Sequence, residues 1–405
     1  MRRHRSIGVM DGRTGDDGGR TADARTAGAP KRRVDVPSAR ADGKVPEAEA
    51  GTVPGALSRA ALVRLVEAMP KAELHLHLDG ALLPATALEL ARSRGVDAPR
   101  DFAGMAAALV APMPCRDQDQ LIDAFDLPVA LLQDADALER VTRELVALEA
   151  ASGVRYAEIR WAPALHTARG LALADGIAAV CAGAEAGAAA TAVVVRLICT
   201  AMRSDEPAAN VALAEVAARF RDRGLTGFDL AGREERFPDA TLHRAAFAAA
   251  RAGGLRITLH AGEWGGAAQV WRALTLDPER IAHGPGAAGD PDLVAELRAR
   301  RVVLDLTPTS NVQAGIVPAV SAHPLARLHR AGVRVTLSTD DPTVADVRLH
   351  DEYVRAVTGI GLTPAELWAI DRRALDVAFA DEADLRPLRT AFDAWAAGIP
   401  ELAPD

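Results

Sequence analysis

Eight short apolar runs recur between residues 72 and 342, and nearly every one ends in side chains that a buried strand would reject. The runs are AELHLHL (72–78), VRYAEIRWAP (154–163), TAVVVRLICTAM (191–202), LTGFDLAG (225–232), RITLHAGE (256–263), RIAHG (280–284), VVLDLTPTSN (302–311) and VRVTLSTDDP (333–342). Helix-like segments separate them, such as DADALERVTRELVALEAAS (134–152) and DPDLVAELRARR (290–301). The second opens with Asp-Pro, a helix cap followed by a first-turn proline. Strands alternating with helices build parallel α/β sheets, and eight strands is the number that closes a (β/α)8 TIM barrel. A doubly wound open sheet is the competing arrangement. No GxGxxG follows the first strand, which weakens it.

Barrel closure fixes where chemistry can sit, because the C-terminal ends of all eight strands converge on one mouth. The polar strand ends are His75/His77/Asp79, Glu158/Arg160, Asp229/Gly232, His260/Glu263, His283, Thr309/Ser310/Asn311 and Asp340/Asp341. Positions 75 and 340, remote in sequence, become neighbours there. His75 and His77 share one face of a strand, about 7 Å apart, and can chelate one ion. Two separately hydrogen-bonded histidines would give the same pattern. His260 is the natural third nitrogen ligand, unless it caps the helix that follows. Asp340 and Asp341 repel each other unless a positive charge lies between them. Consecutive residues point different ways, so one can meet a metal while the other meets a ligand. Asp-Asp-Pro is also good turn chemistry. Three histidines and a carboxylate suit zinc, which brings the pKa of a water toward neutrality. Glu263 and His283 are then candidates for the acid and the base. Glu263 could equally be an ordinary first-turn carboxylate.

The bulk properties narrow the class. The net charge of −8 over 405 residues argues against nucleic-acid binding, which needs a basic stripe. Three widely spaced cysteines, Cys115, Cys181 and Cys199, suggest neither a disulfide framework nor a cysteine metal site. A reducing, cytoplasmic setting is expected, and no apolar run is expected to approach membrane-span length. Residues 1–56 are rich in Arg, Gly, Asp and Ala and poor in large apolar side chains, and are expected to be a disordered tail without signal-peptide character. Residues 57–405 are expected to form the barrel.

The set PKAELHLHLDG, AEIRWAPALHTARG, FDLAG, HAGE, RIAHG, PTSNVQ and STDDP, in that order from about Leu57 to about Ala396, resembles the adenosine deaminase family of the amidohydrolase superfamily. Each motif is weak alone and the ordered set is specific. The resemblance implies a zinc-bearing barrel with His75, His77, His260 and Asp340 as ligands. It implies that Glu263 protonates the purine ring nitrogen beside the reacting carbon. His283 would take the proton of the attacking water and steer it. Asp341 would hold the imidazole-ring nitrogen of the purine, the Gly232 N–H the other pyrimidine nitrogen, and Asp79 the 5′-hydroxyl of the ribose. The implied reaction is hydrolysis of adenosine or 2′-deoxyadenosine to inosine and ammonia, with a small purine nucleoside as partner and neither nucleic acid nor membrane. Segment 116–140 resembles the cover of the pocket in this family, with Leu121, Phe125 and Leu127 as its apolar face. Amphipathic core packing is the other reading of those three.

Two positions depart from the family pattern. Thr307 stands where cysteine is common, and Arg233 where aspartate often follows the glycine. Arg233 near the pocket rim would either favour an anionic group such as a 5′-phosphate or pair with Glu234 or Glu235. Close alternatives are deaminases acting on adenine or on a modified adenosine-type nucleoside or nucleotide. Asp79 favours a free nucleoside, because a carboxylate accepts from a hydroxyl and repels a phosphate. Amide or phosphotriester hydrolysis would use a related metal site without needing Glu263. A second zinc-deaminase architecture requires a PCxxC element, which the chain lacks. A non-catalytic nucleoside binder would be expected to have lost Glu263, His283 or a ligand, and all are present.

Overall fold

The computed structural model describes residues 57–403, so the expected N-terminal tail lies outside the described residues. The strands are β1 (Lys71–His77), β2 (Val154–Trp161), β3 (Val194–Met202), β4 (Leu225–Ala231), β5 (Arg256–His260), β6 (Arg280–Ala282), β7 (Val303–Leu306) and β8 (Arg334–Leu337). They are parallel and neighbour one another in chain order. The ring closes where Leu76 bridges Asp340 in parallel register. At this seam the His77 N–H donates to the Asp340 carbonyl at 2.8 Å, and the Asp340 N–H to the His75 carbonyl at 3.0 Å. The bonds that close the barrel therefore run through three of the expected metal ligands. The TIM-barrel expectation holds, with each expected strand in place.

Local chemistry explains the element ends. The helix Ala135–Ala151 starts where Asp134 accepts the Ala137 N–H at 2.9 Å, and Leu138, Val141, Leu145 and Val146 turn one apolar face inward. The helix Pro291–Arg300 starts at Asp290, whose carboxylate accepts from Asp292 and Leu293, with Pro291 in the first turn.

One expectation from the sequence is corrected. The 19-residue helix Leu173–Thr191 is long and apolar enough to cross a membrane by length and composition. Here it packs as a barrel helix. A Cβ at Gly183 would lie 2.3 Å from the Glu139 carbonyl, and one at Gly187 2.6 Å from Val146 Cβ. Its small residues thus let two backbones approach closely, which is why alanine and glycine dominate it.

A second correction concerns Glu158 and Arg160, expected among the side chains at the mouth. Both are fully buried inside the barrel. Glu158 pairs with Arg280 and accepts from the Tyr156 hydroxyl at 2.8 Å. Arg280 also reaches Asp305 at 3.1 Å, and Thr336 donates to Asp305 at 2.7 Å. Arg160 donates to the Leu74 carbonyl at 2.8 Å and reaches Asp229 at 3.4 Å. A strand pattern registers that a residue is polar but not whether another strand already supplies its counter-charge.

Candidate active site

The mouth gathers the expected ligands, and the donor atoms of His75, His260 and Asp340 all lie within 4.8 Å of one another. His75 Nε2 lies 3.3 Å from His77 Nε2, which lies 3.1 Å from His260 Nε2. Asp340 Oδ1 is 2.8 Å from His75 Nε2 and 3.4 Å from His77 Nε2. Burial pushes His77 down to about 3 and His75 well below its ordinary value, so both rings are neutral near neutral pH. Neutral ring nitrogens that face one another at such distances present lone pairs to a common point, a donor set that fits a divalent metal. Two overlapping groups of donor atoms meet the spacing a metal needs: His75, His260, His283 and Asp340, and His77, Asp340 and Asp341.

The surrounding residues orient these donors. Asp229, at the end of β4, faces His260 Nδ1 at 3.0 Å. Burial alone would raise its carboxyl, but His260 and Arg160 more than reverse this and hold it well below the carboxylate range. Such a contact fixes which ring nitrogen points inward. Ser310 donates to Asp340 Oδ2 at 2.7 Å. Burial would likewise raise Asp340, yet His75 and His283 hold it well below its ordinary range. Asp340 and His283 both adopt positive φ, 75° and 67°. That left-handed backbone is costly for side-chain-bearing residues and persists where packing and function over-determine it.

His283 is held from behind. Its Nδ1 faces the Thr307 hydroxyl at 3.0 Å and Asn311 Nδ2 at 3.2 Å. Asn311 Oδ1 faces His323 Nε2 at 3.1 Å, and the Leu325 N–H donates to His323 Nδ1 at 3.2 Å. This run of donors assigns His283 the neutral tautomer with its proton on Nε2. Nε2 lies 3.8 Å from a Glu263 carboxylate oxygen and 3.8 Å from Asp340 Oδ2. Burial raises the Glu263 carboxyl well above its usual range, with the carboxylates of Asp340 and Glu234 adding to it. Asp79 sits in the turn Asp79–Ala81 just after β1, and burial pushes it up to about 6. Asp341 is raised well above its ordinary range by burial, then by Asp340, Asp79 and Glu263. Asp79 Oδ1 and Asp341 Oδ1 are buried with no hydrogen-bond partner among the described residues. A Cβ at Gly80 would fall 1.9 Å from Asp341 Oδ1, so only glycine lets this carboxyl reach the mouth. Gly232, at φ 108°, follows β4 on the same side.

The Adenosine deaminase family model matches residues 70–395. An adenosine deaminase of Enterococcus faecalis is 34% identical over 328 residues, covering 81% of this chain and 97% of its own. The chain belongs to the adenosine deaminase family. An adenine deaminase from Arthrobacter aurescens has a similar structure (TM-score 0.75, 28% identity), covering 82% of this chain and 100% of its own. So does a Burkholderia ambifaria amidohydrolase with bound zinc (TM-score 0.77, 28% identity), covering 85% of this chain and 95% of its own.

Within this family framework, the two departures acquire partners. Thr307 is the hydroxyl against His283 Nδ1. Arg233 pairs with neither Glu234 nor Glu235. It pairs with Asp119 at 2.5 Å and Asp123 at 2.9 Å, both on the helix Gln118–Asp123 of the expected cover. The cover is not one amphipathic helix. It is two short helices, Gln118–Asp123 and Asp126–Leu131. Leu121 and Phe125 join Cys115, Ala314, Val344 and Trp264 in a small apolar cluster separate from the main core, whereas Leu127 packs against the main core. Asp229, Ser310 and Asn311 appear in the polar strand ends of the sequence, but nothing local reveals that they serve His260, Asp340 and His283. Glu234 and Arg203 carry no sequence signal beyond their proximity to a strand end.

Proposed function

We propose that this protein hydrolyses adenosine and 2′-deoxyadenosine to the corresponding inosine and ammonia. The observation that carries the reading is Glu263, a largely buried acid whose carboxyl burial raises well above its usual range, beside His283 and the unpartnered oxygens of Asp79 and Asp341. A purine nucleoside offers ring nitrogens and a 5′-hydroxyl at complementary positions. His75, His77, His260 and Asp340 would hold a zinc ion, which would supply the Lewis acidity that makes hydroxide available at neutral pH. Glu263 donates its proton to the ring nitrogen next to the amino-bearing carbon, which makes that carbon electrophilic. His283, neutral with its proton on Nε2 and with Nδ1 already facing Asn311, donates that N–H to the entering oxygen and steers it rather than acting as base; one proton of the attacking water restores the Glu263 acid and the other leaves with the amine as ammonia. Asp341, protonated, donates to the imidazole-ring nitrogen of the purine. The Gly232 N–H donates to the other pyrimidine nitrogen, and Asp79 accepts from the 5′-hydroxyl. Leu121 and Phe125 keep bulk water from the purine face.

The competing substrate is adenine, on which one structural neighbour acts by its name. Adenine leaves Asp79 without a partner. A nucleotide is disfavoured because Arg233 already pairs with Asp119 and Asp123, and Asp79 repels phosphate. The test incubates metal-replete protein in parallel with adenosine, 2′-deoxyadenosine, adenine and adenosine 5′-monophosphate, following ammonia and purine absorbance. The two nucleosides should turn over, with adenine and the monophosphate slower by roughly 100-fold. Preference for adenine or the monophosphate transfers the reading to that substrate, and no turnover of any of the four removes it.

A further inference from the structure

The turn that carries Glu263 is held by a carboxylate to which the reaction assigns no part. Glu234 lies beyond β4 and is 3% exposed. Its Oε1 accepts the Gly262 N–H at 2.8 Å, and its Oε2 accepts the N–H groups of Trp264 and Gly265, each at 2.9 Å. The three donors bracket Glu263 on both sides. The turn needs Gly262 at φ 72°, where a Cβ would lie 2.5 Å from Val270 Cγ2. Backbone N–H groups converging in this way form a concave anion seat, and here a side chain of the same fold fills it. Arg203, 3% exposed, stands 3.7 Å behind the Glu234 carboxylate and donates to the His260 carbonyl at 2.8 Å. One ion pair therefore grips both the end of the His260 strand and the Glu263 turn.

We propose that Glu234 is a positioning residue for the deamination reaction: by accepting the three N–H groups of the 262–265 turn, it fixes the direction in which Glu263 meets the purine. The inference rests on the deaminase reading above. The carboxylate suits the task because both oxygens accept and neither donates. Glutamine cannot replace it, since its NH2 would face either Gly262 or the Trp264/Gly265 pair, donor against donor. The acid would then swing by a fraction of its reach, and a displacement near 1 Å at a catalytic group costs on the order of 100-fold in rate.

The test compares the full-length zinc-loaded protein with Glu234→Gln in two readouts. Steady-state kinetics on adenosine should show kcat lowered by roughly 100-fold with KM within about threefold, while zinc content and Tm are retained. Hydrogen exchange resolved at Gly262, Trp264 and Gly265 should accelerate at least about tenfold in the variant, with β1 unchanged. A kcat within about twofold of the parent overturns the proposal. So does a variant that loses its fold, or loses zinc together with turnover, because Glu234 would then brace the barrel rather than one turn. Parent protein inactive on every purine overturns the deamination reading alone. The exchange comparison still decides the clamp in that case: unchanged exchange at the three amides refutes it and selective acceleration supports it.

Discussion

In the lower barrel interior, Glu158, Arg160, Arg280 and Asp305 are as deeply buried as His75 and His283 at the mouth, yet the two regions use their polar atoms differently. Below, charges alternate in sign and, apart from Arg160 Nε, find partners within the chain. Arg280 engages Glu158 and Asp305 and donates to the Val377 carbonyl at 3.0 Å, and hydroxyls of Tyr156 and Thr336 complete the carboxylates. At the mouth the carboxyls of Asp79, Glu263, Asp340 and Asp341 share one sign. Two of their oxygens have no partner among the described residues, and three of the carboxyls have raised pKa values. Burial of charge is common to both regions. What separates a structural network from a ligand site is whether the partners belong to the protein.

Mutations can break this contrast in either direction. The largest effect is expected below: Arg280→Met strands two buried carboxyls and should remove about 3–5 kcal/mol of stability in urea unfolding, with turnover per folded molecule nearly unchanged. A variant that keeps its stability and loses turnover would erase the distinction. Next comes Gly80→Ala at the mouth, where the added methyl meets Asp341 Oδ1; kcat/KM for adenosine should fall roughly 100-fold. Activity within a few-fold of the parent would mean that Asp341 is not where the purine binds. Asp79→Asn is expected to raise KM for adenosine about tenfold while leaving any slow adenine turnover alone. Equal changes on both substrates would dissociate Asp79 from the sugar.

The smallest effect concerns a structural acid. Asp371 accepts from the Ala72 N–H at 2.9 Å and the Tyr353 hydroxyl at 2.6 Å, and burial pushes it up to about 7. The folded state therefore holds a proton that the unfolded chain releases near pH 4. Its contribution is fully present below about pH 4 and is lost as the pH rises through about 7. Asp371→Asn should flatten the decline of Tm across that window without altering kcat. An unchanged pH profile of Tm would show that Asp371 is already ionised in the folded protein.

The same contrast explains what is legible in the sequence. Strand and helix positions follow from local alternation and from caps such as Asp134 and Asp290, whose partners lie two or three residues away. The histidines, Glu263 and the Asp340–Asp341 pair stood out because barrel closure brings strand ends together whatever their sequence separation. Glu158 and Arg160 read as mouth residues in the sequence because their partners sit on other strands: Arg280 is 122 residues from Glu158, and Asp229 is 69 from Arg160. Arg233 was judged against its neighbours Glu234 and Glu235, whereas its partners Asp119 and Asp123 lie more than 100 residues upstream. Glu234, weighed in the sequence only as a partner for Arg233, finds its own partners at Gly262, Trp264 and Gly265.

Glu263→Gln separates a catalytic acid from a structural one, with adenosine turnover and Tm measured on the same zinc-loaded sample. Glutamine keeps the shape of the side chain and loses the acidic proton. A catalytic role for Glu263 requires a kcat lower by about 1,000-fold or more with Tm equal to or above that of the parent, since a buried acid crowded by Asp340 and Glu234 is removed. A variant that keeps its turnover, or loses turnover only in step with a collapse in Tm, would contradict it and return Glu263 to the class of the structural acids below the mouth.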